Sequence, residues 1–351
     1  MHIRKAIIDD NVELQQLQAQ CPMGTQLVVS IVNTPDFFAR AKAYESCEVF
    51  VAIEEGKIIG SAACAIRQAI VDDKVSPIGY EFQYFTHPEC RRKGVARQLH
   101  NHIEDYLISK DAVLSYLIIM EGNVPSMKFF EGQGFKLYRT LVMPGLAVHK
   151  EMKCPQRRTI RPAVPNDLSS ISKLLNQMWK EYVFYEPASA ETLARFINRT
   201  PAYDFDNLII LEDANEILAC LGFWDWSHVM RITVIERNLK MQIMGFLLDV
   251  AGFLRPMPRV PRPLETLRQW CLTPIGFKDT DHIQVLLRYV NSQAVTRGIK
   301  QIFFVCERNH ELLRSTKGFI RVDTLIHSYA KVYQESATIG TRRIFIDGID
   351  L

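Results

Sequence analysis

The sequence lacks several features that would classify it quickly. None of its eight cysteines form a C-x-x-C pair, and no Cys/His cluster has the spacing of zinc ligands. A G-X-Y or heptad repeat is also missing, which excludes collagen-like and coiled-coil chains. We therefore expect no metal site, and we expect most cysteines to be small core residues in a reducing compartment.

Excess charge of one sign and long apolar runs are also lacking. The 42 Lys and Arg against 39 Asp and Glu leave a net charge of +3, which gives no general attraction to nucleic acid or anionic lipid. No window reaches the roughly 18–20 uninterrupted apolar residues of a spanning helix. The first sixteen residues contain no apolar core of a secretory signal. We expect a cytoplasmic protein without nucleic-acid or membrane partners; its oligomeric state is left open.

What the chain does have is an ordinary globular composition and an internal repeat. Its 351 residues favour two domains, and 48% hydrophobic residues suffice for packed cores. A strand and polar turn near the start recur 157 positions later, followed in both places by an amphipathic helix. The recurring residues are Ile3, Arg4, Ala6 and Asp10, matched by Ile160, Arg161, Ala163 and Asp167.

Later matches between the halves are shifted, which places an insertion in the second half. Pro88 matches Pro274, and Gly134 matches Gly318, so the offset grows to 184–186 residues. The sequence predicts domains at 1–152 and 158–351, with the insertion at about 228–263. Both halves suggest the order strand, helix, helix, three strands, helix, strand, helix, strand. That order favours the α/β (α+β) class, with helices packed on both faces of a mixed sheet.

One junction carries a chemical signal. Residues 79–89 are typical of a strand that Pro88 ends, and residues 90–108 are typical of a turn into a helix. The junction is Arg91-Arg92-Lys93-Gly94-Val95-Ala96. Cations, small residues and a helix N-terminus together favour a pyrophosphate site. The alternative is a solvated basic turn.

With a second motif, the sequence resembles the GCN5-related N-acetyltransferase (GNAT) superfamily. That family has Arg/Gln-x-x-Gly-x-Gly/Ala between a strand and a helix, which Arg91, Gly94 and Ala96 match. It also has a later strand that ends in Asn and a helix that closes before Gly-Phe, matched by Asn123 and Gly134-Phe135. The resemblance covers residues 3–150 in detail and 159–350 in outline, so we expect two tandem GNAT-like domains.

The resemblance implies that acetyl-CoA is a co-substrate. Strands at about 79–87 and 114–122 would splay apart around the pantetheine arm, and residues 91–96 would hold the pyrophosphate. Backbone N–H groups of Phe85 and Thr86 would bind the acetyl carbonyl and stabilise the oxyanion. The remaining implied cofactor contacts are Asn123, Ser126 and Phe130. Transfer would be direct, within a ternary complex, to an amine of unknown identity.

Proton transfer has several candidates. Glu81 is the implied base and, in a regular strand, shares a face with Gln83 and Phe85; the alternative is a strand glutamate without a role. His87 is a second candidate or a solvent-facing turn residue, and we expect His100 and His102 to face solvent or pack.

The position that would hold the general acid departs from the family pattern. The family often places a tyrosine, which protonates the departing thiolate, four residues before the Gly of Gly-Phe. Here that position is Phe130, which cannot donate a proton. Tyr84 and Tyr138 are other hydroxyls, which no sequence argument positions.

The second half has lost the phosphate motif. Residues 273–290 keep a helix, with Thr280 or Asp279 as its N-cap, but Arg-x-x-Gly-x-Gly/Ala is missing around Gly276. Asn309 is kept, and Arg314 occupies the tyrosine position. We expect this half to shape the acceptor cleft, with residual CoA binding left open. Bulky residues should therefore abolish CoA binding at Gly94 and matter little at Gly276.

The insertion contains an apolar stretch, residues 239–255, which has a cation near each end, Lys240 and Arg255. A buried helix or an inter-domain contact is the expected role, and a membrane-surface helix is the alternative.

The sequence thus predicts an acetyl-CoA-dependent N-acetyltransferase with one working site in its first half. A non-catalytic CoA-sensing or interaction module is the alternative, and transfer of a longer acyl group also stays open. Acceptor contacts are expected from residues 21–46.

Overall fold

The computed structural model describes residues 1–154, 158–334 and 339–351, and every structural statement below refers to these ranges. They contain eighteen strands and seven α-helices. The strands of the first half are β1 (His2–Lys5), β2 (Leu27–Asn33), β3 (Ser46–Glu54), β4 (Lys57–Val71), β5 (Lys74–Thr86), β6 (Leu114–Met120) and β7 (Lys136–Ala147). Its helices are α1 (Asn11–Ala19), α2 (Val95–Ser109) and α3 (Val124–Gly132).

The second half is longer, and its sheets contain more and shorter strands. Its strands are β8 (Thr159–Pro162), β9 (Leu208–Asp213), β10 (Glu216–Gly222), β11 (Trp224–Asp225), β12 (Met230–Arg237), β13 (Thr266–Leu267), β14 (Gln269–Cys271), β15 (Ile275–Phe277), β16 (Gln301–Phe303), β17 (Cys306–Glu307) and β18 (Arg321–Val332). Its helices are α4 (Leu168–Trp179), α5 (Ala190–Arg199), α6 (Leu239–Gly252) and α7 (Thr280–Thr296).

The recurring residues make the same contacts in both halves. The Arg4 guanidinium donates to both carboxylate oxygens of Asp10 at 2.7 Å. Arg161 donates to Asp167 in the same two-pronged way, at 2.7 and 3.0 Å. In each half the carboxylate also accepts the backbone N–H three residues before it, at 2.8 Å. The repeat seen in the sequence is therefore a repeat of structure.

The predicted order of elements is wrong at one helix in each half. The first half has only a 3₁₀ turn (Ala41–Ala43) where a second helix was expected, and strand β2 precedes it. The second half has α5 at that place but only a 3₁₀ turn (Glu311–Thr316) where the last helix was expected. Both segments are short, and neighbouring elements rather than helical periodicity decide their conformation.

Local turn chemistry explains the hairpins. Glu55 and Gly56 have φ angles of 51° and 76° between β3 and β4, and Ala214 and Asn215 have 48° and 65° between β9 and β10. Two successive positive φ values are the geometry of a type I′ turn, whose twist suits a two-residue hairpin.

The last long strand of each half, β7 or β18, lies between two strands of the other half. In an eleven-stranded sheet, β18 lies between β6 and β7, and β7 lies between β18 and β16, with antiparallel pairing throughout. Each half therefore places its last long strand between strands of the other half. The sheet is continuous across the predicted boundary.

A shared core accompanies the shared sheet. One cluster of buried side chains includes Leu14 and Phe82 from the first half and Trp179 and Tyr185 from the second. Helix α2 packs on the other face of the sheet through its apolar stripe, which is Val95, Leu99, Ile103 and Leu107. Helices thus cover both faces of the sheet, as expected.

The apolar stretch of the insertion forms the expected helix, α6, but the helix is not buried. Strand β12 of the insertion pairs with β2 of the first half, and β13 continues this three-stranded sheet. Helix α6, expected to be buried, has Gly245 as its only fully buried residue. Apolar composition does not fix burial when no neighbouring element covers the helix. None of the helices in the described ranges is both long and apolar enough to cross a membrane.

Candidate active site

The turn from β5 into α2 holds the predicted phosphate motif. It ends at Gly94, whose φ of +86° lies in the left-handed region that glycine adopts without a side-chain clash. The side chains of Arg91, Arg92 and Lys93 are exposed just before it. Within the ranges that the structure describes, these three side chains have no ion pair or hydrogen bond.

The first turn of α2 is open to a ligand. No side chain caps its N-terminus, so its first N–H groups keep their hydrogen-bonding capacity. Val95 is only 2% exposed and packs into the core, so its contribution is limited to its backbone N–H. Ala96 follows with a half-buried methyl group. The helix dipole, the free N–H groups and the unpaired cations are together suited to hold a multiply charged anion.

The predicted splay between the two central strands is present. β5 and β6 run parallel and are paired only at Gly79–Ser115 and Tyr80–Tyr116. Beyond these pairs, β5 stays paired with β4 as far as Thr86. The gap opens at the carboxyl ends of β5 and β6, the end of the sheet from which the chain continues into α2.

The amides of Phe85 and Thr86 differ in direction. The backbone N–H of His87 donates to the Ile59 carbonyl of β4 at 2.9 Å. Because N–H groups alternate along a strand, the N–H of Thr86 points away from β4 and toward the gap. That of Phe85 points back to β4. Of the two predicted oxyanion donors, only Thr86 therefore faces the gap.

A β-bulge in β5 changes which side chains share a face. The pairing with β4 shifts by one residue within Phe82–Phe85, and Gln83 has a φ of 55°. The side chain of Tyr84 therefore reaches Glu81, and Phe85 packs in the core on the opposite face. The prediction that Glu81 and Phe85 share a face is wrong, because it assumed a regular strand.

Glu81 is the centre of a buried polar network beside the gap. Its side chain is fully buried and accepts hydrogen bonds from Ser115 at 2.7 Å and from Tyr84 at 2.5 Å. The His100 Nδ1 lies 3.2 Å from the same carboxylate, and the Tyr333 hydroxyl donates to Ser115 at 2.7 Å. Burial, together with the neighbouring carboxylate, raises the pKa of Tyr84 well above 10.0. The Tyr84 hydroxyl therefore keeps its proton at neutral pH.

The second motif lies at the carboxyl end of β6. The Asn123 side chain accepts the backbone N–H of Ser126 at 3.4 Å and so caps α3. Both residues lie at the α3 N-terminus, where a cofactor could reach them. Phe130 is 5% exposed, and its ring packs edge-on against Tyr84 at 5.0 Å. Tyr84 therefore brings a hydroxyl beside the position of the family tyrosine, whereas Tyr138 donates to the Ile339 carbonyl elsewhere.

The three histidines near the site differ in burial and in their hydrogen-bond partners. His87 is half-buried in the turn after β5, where its Nδ1 accepts the Glu89 N–H at 3.4 Å. His102 is exposed on α2. His100 is completely buried, and its Nε2 has no hydrogen-bond partner in the described part of the chain. The contact between His100 and Glu81 was missed because residues 19 apart meet only through the packing of α2 on β5.

The second half is closed at the corresponding place. Helix α7 begins after Asp279, whose carboxylate accepts the backbone N–H of Asp281 at 2.8 Å. This confirms one of the two predicted N-caps, and the carboxylate fills the position that is open in α2. Gly276 lies inside strand β15, where an added Cβ would meet Leu175 at 3.0 Å and Cys220 at 3.2 Å. A bulky residue there would crowd the core, and the expectation that it matters little for CoA binding stays a prediction.

A second polar cluster lies where β5 and β6 separate. The Asp350 side chain, 0% exposed, contacts Arg67 and accepts a hydrogen bond from Tyr116 at 2.7 Å. The Tyr44 hydroxyl donates to the neighbouring Ile349 carbonyl at 2.8 Å. Burial raises the pKa of Asp350, and Arg67 opposes that shift. The sequence did not reveal this cluster, since its members are up to 306 residues apart.

Metal ligands and disulfides are not part of this site. Among the described residues, no group of three His, Cys, Asp or Glu side chains is placed to hold a metal ion. All eight cysteines are free thiols.

Comparisons with known proteins agree with this geometry. Residues 13–135 match the family model described as the acetyltransferase (GNAT) family. Among solved structures, Saccharomyces cerevisiae N-myristoyltransferase with bound myristoyl-CoA is 11% identical, with a TM-score of 0.62 over 98% of this chain and 85% of that one. A GCN5-related N-acetyltransferase from Sphaerobacter thermophilus is 12% identical, with a TM-score of 0.56 over 99% and 98%. No curated protein matches the sequence.

Proposed function

We propose that this protein transfers an acyl group from coenzyme A to an amine, because residues 13–135 match the model of the acetyltransferase (GNAT) family. Acetyl is the proposed group. The observation that carries the proposal is the open N-terminus of α2 beside the gap between β5 and β6.

The binding step uses the turn and the helix end. The pyrophosphate would accept hydrogen bonds from the first N–H groups of α2, with Arg91, Arg92 and Lys93 supplying positive charge. Asn123 and Ser126, at the N-terminus of α3, would contact the cofactor on the other side of the gap. The fit rests on the three cations having no protein partner in the described ranges.

The acyl transfer step would take place in the gap. The amine nitrogen would attack the thioester carbonyl carbon, and the Thr86 N–H would stabilise the oxyanion that forms. The carbon–sulfur bond then breaks, which leaves an amide and the coenzyme A thiolate. The amine loses one proton in this sequence and the thiolate takes one up.

Proton transfer would involve the network around Glu81. Because Tyr84 keeps its proton at neutral pH, its hydroxyl is suited to donate to the departing thiolate. Glu81 accepts the Tyr84 hydrogen bond and holds that hydroxyl in place. Glu81 remains the candidate base. Since its carboxylate is buried and already has three polar neighbours, it would act through Tyr84 or His100.

A non-catalytic CoA-sensing module is the second candidate. Two observations favour it: Phe130 replaces the family tyrosine, and the Glu81 side chain is 0% exposed. A sensor would bind the cofactor through residues 91–96 without needing either group.

A binding measurement tests the shared premise. Calorimetry with acetyl-CoA should show binding, and Gly94→Leu should abolish it, because a bulky residue strains the left-handed backbone and crowds the anion site. Gly56→Leu is the matched control, since Gly56 also has a positive φ and open space around it but lies in the β3–β4 turn. If both variants bind acetyl-CoA like the wild type, the assigned site is wrong.

A turnover measurement separates the two candidates. Thiol release should be followed across a panel of amines, with acetyl-CoA and with longer acyl-CoA thioesters. Turnover on any amine supports the transferase, and the preferred chain length identifies the acyl group. Binding without turnover on every amine supports the sensor.

A further inference from the structure

The outer surface of α6 presents an apolar stripe to solvent. Seven large side chains of α6 and the two residues after it are 48–91% exposed, and at 3.6 residues per turn they lie within an arc of about 120°. We call these residues the outer stripe: Leu239, Ile243, Phe246, Leu247, Val250, Phe253 and Leu254.

The helix is oriented with its small and half-buried residues toward the protein. Gly245 is buried and faces Val260, which an added Cβ would meet at 3.4 Å. Met241 and Leu248 on the inner side are half-buried. An amphipathic surface helix normally turns its apolar face to the core. The outer stripe does the reverse, so burying it requires something outside the described chain.

The stretch of chain that contains the outer stripe carries an excess of positive charge. Residues 229–268 contain seven Arg and Lys against three Asp and Glu, although the whole chain is nearly balanced. Arg231, Lys240, Arg255 and Arg259 are exposed and have no ion pair with the described residues. Lys240 and Arg255 lie at the two ends of the stripe.

We propose that α6 docks this protein on an anionic lipid surface, with the outer stripe entering the interface and the surrounding cations contacting lipid phosphates. A helix with exposed Phe and Leu beside Lys and Arg is the composition that binds such surfaces. Two copies meeting through this face would bring like-charged clusters together, which disfavours self-association. This proposal does not depend on the proposed acyl transfer, because the stripe lies outside the candidate active site.

Co-sedimentation with vesicles tests the docking. The full-length protein should bind vesicles of phosphatidylglycerol and phosphatidylcholine and should bind pure phosphatidylcholine more weakly. Phe246→Ser with Phe253→Ser should lower the partition coefficient at least about tenfold. Lys240→Glu with Arg255→Glu should lower it on anionic vesicles, and added salt should do the same. Ile8→Ser with Val12→Ser, at residues 68% and 63% exposed in the first half, should leave it unchanged.

Two results would overturn the proposal. One is a protein that does not sediment with anionic vesicles while circular dichroism shows it folded. The other is a dimer, seen by analytical ultracentrifugation, that the Phe246→Ser and Phe253→Ser changes dissociate without any effect on vesicle binding. The first rejects lipid docking, and the second assigns the outer stripe to a second copy.

Discussion

The bulge in β5 decides which hydroxyl lies beside the proposed reaction centre. In a regular strand the side chains of Glu81 and Phe85 would lie on the same face. The extra residue of the bulge instead brings the Tyr84 side chain to Glu81. The sequence predicted Gly94 and Asn123 from motifs with fixed spacing, and it predicted Glu81 from the family resemblance. It could not position Tyr84, since a bulge depends on the partner strand and has no local signal here.

Replacing Tyr84 with Phe tests its proposed role as proton donor. Tyr84→Phe should lower kcat about 10²-fold, with little change in the KM for acyl-CoA, because the hydroxyl acts only as the thiolate leaves. Burial keeps the pKa of Tyr84 above 10.0, so the loss should be the same throughout pH 6–9. Steady-state kinetics of this variant and of the control Tyr289→Phe on α7 measure the effect. An unchanged kcat would remove Tyr84 from the mechanism.

The repeated ion pair gives stability a defined pH dependence. Hydrogen bonds from Arg4 hold the pKa of Asp10 below 3.8, and Arg161 does the same for Asp167. A lowered folded-state pKa means that this stabilisation is present above about pH 3.8 and is lost as the pH falls through the folded value. Each arginine side chain is about a third exposed, so we expect roughly 1–2 kcal/mol per pair.

Urea unfolding of Asp10→Asn and Asp167→Asn checks this expectation. Each variant should be less stable than the wild type at pH 7, and the difference should narrow below pH 3.8. Asp9→Asn, at the exposed neighbouring position, should show no such pattern. A deficit that is equally large at pH 3 and pH 7 would contradict the assignment.

The N-termini of α2 and α7 differ at the position where the proposed cofactor phosphate would bind. Both helices pack on their sheets through apolar stripes, whose 3.6-residue period is a local signal in the sequence. They differ at the residue before the helix, which is Gly94 in one and Asp279 in the other. A carboxylate that caps its own helix occupies the place where a phosphate would bind.

Introducing a carboxylate at the N-terminus of α2 should weaken the binding of acetyl-CoA. Asp and Asn both tolerate a left-handed backbone, so Gly94→Asp and Gly94→Asn differ mainly in charge. The Asp variant should bind acetyl-CoA at least about tenfold more weakly than the Asn variant, and added salt should reduce the difference. Calorimetry at two salt concentrations measures both effects. Equal affinities would show that the anion does not bind at this helix end.

The sequence does not predict which distant strands pair or which elements lie side by side. The hairpin turns carry their own signal in residues such as Gly56, whose positive φ suits a type I′ turn. The position of β18 between β6 and β7 depends on residues about 200 positions apart. Likewise, the exposure of α6 depends on what lies beside it, and its apolar composition alone predicted burial.

The whole molecule is held together by the exchange of β7 and β18, and this has a consequence for its two halves. Without β18, strands β6 and β7 lose the strand that joins them, and the backbone groups that pair with it become unsatisfied edges. The core cluster shared by the two halves would also lose one side. The predicted domains at 1–152 and 158–351 should therefore not fold independently.

Expressing the halves separately and together tests this interdependence. Residues 1–152 alone should lack cooperative unfolding and acetyl-CoA binding, because an exposed β6 edge and half of a core cannot offset the entropy of ordering. Co-expression with residues 158–351 should restore a 1:1 complex, since the break lies outside the eleven-stranded sheet. Circular dichroism melts, size exclusion and calorimetry measure the three properties. If residues 1–152 alone melt cooperatively and bind acetyl-CoA, the exchanged strand is dispensable and each half is a domain in its own right.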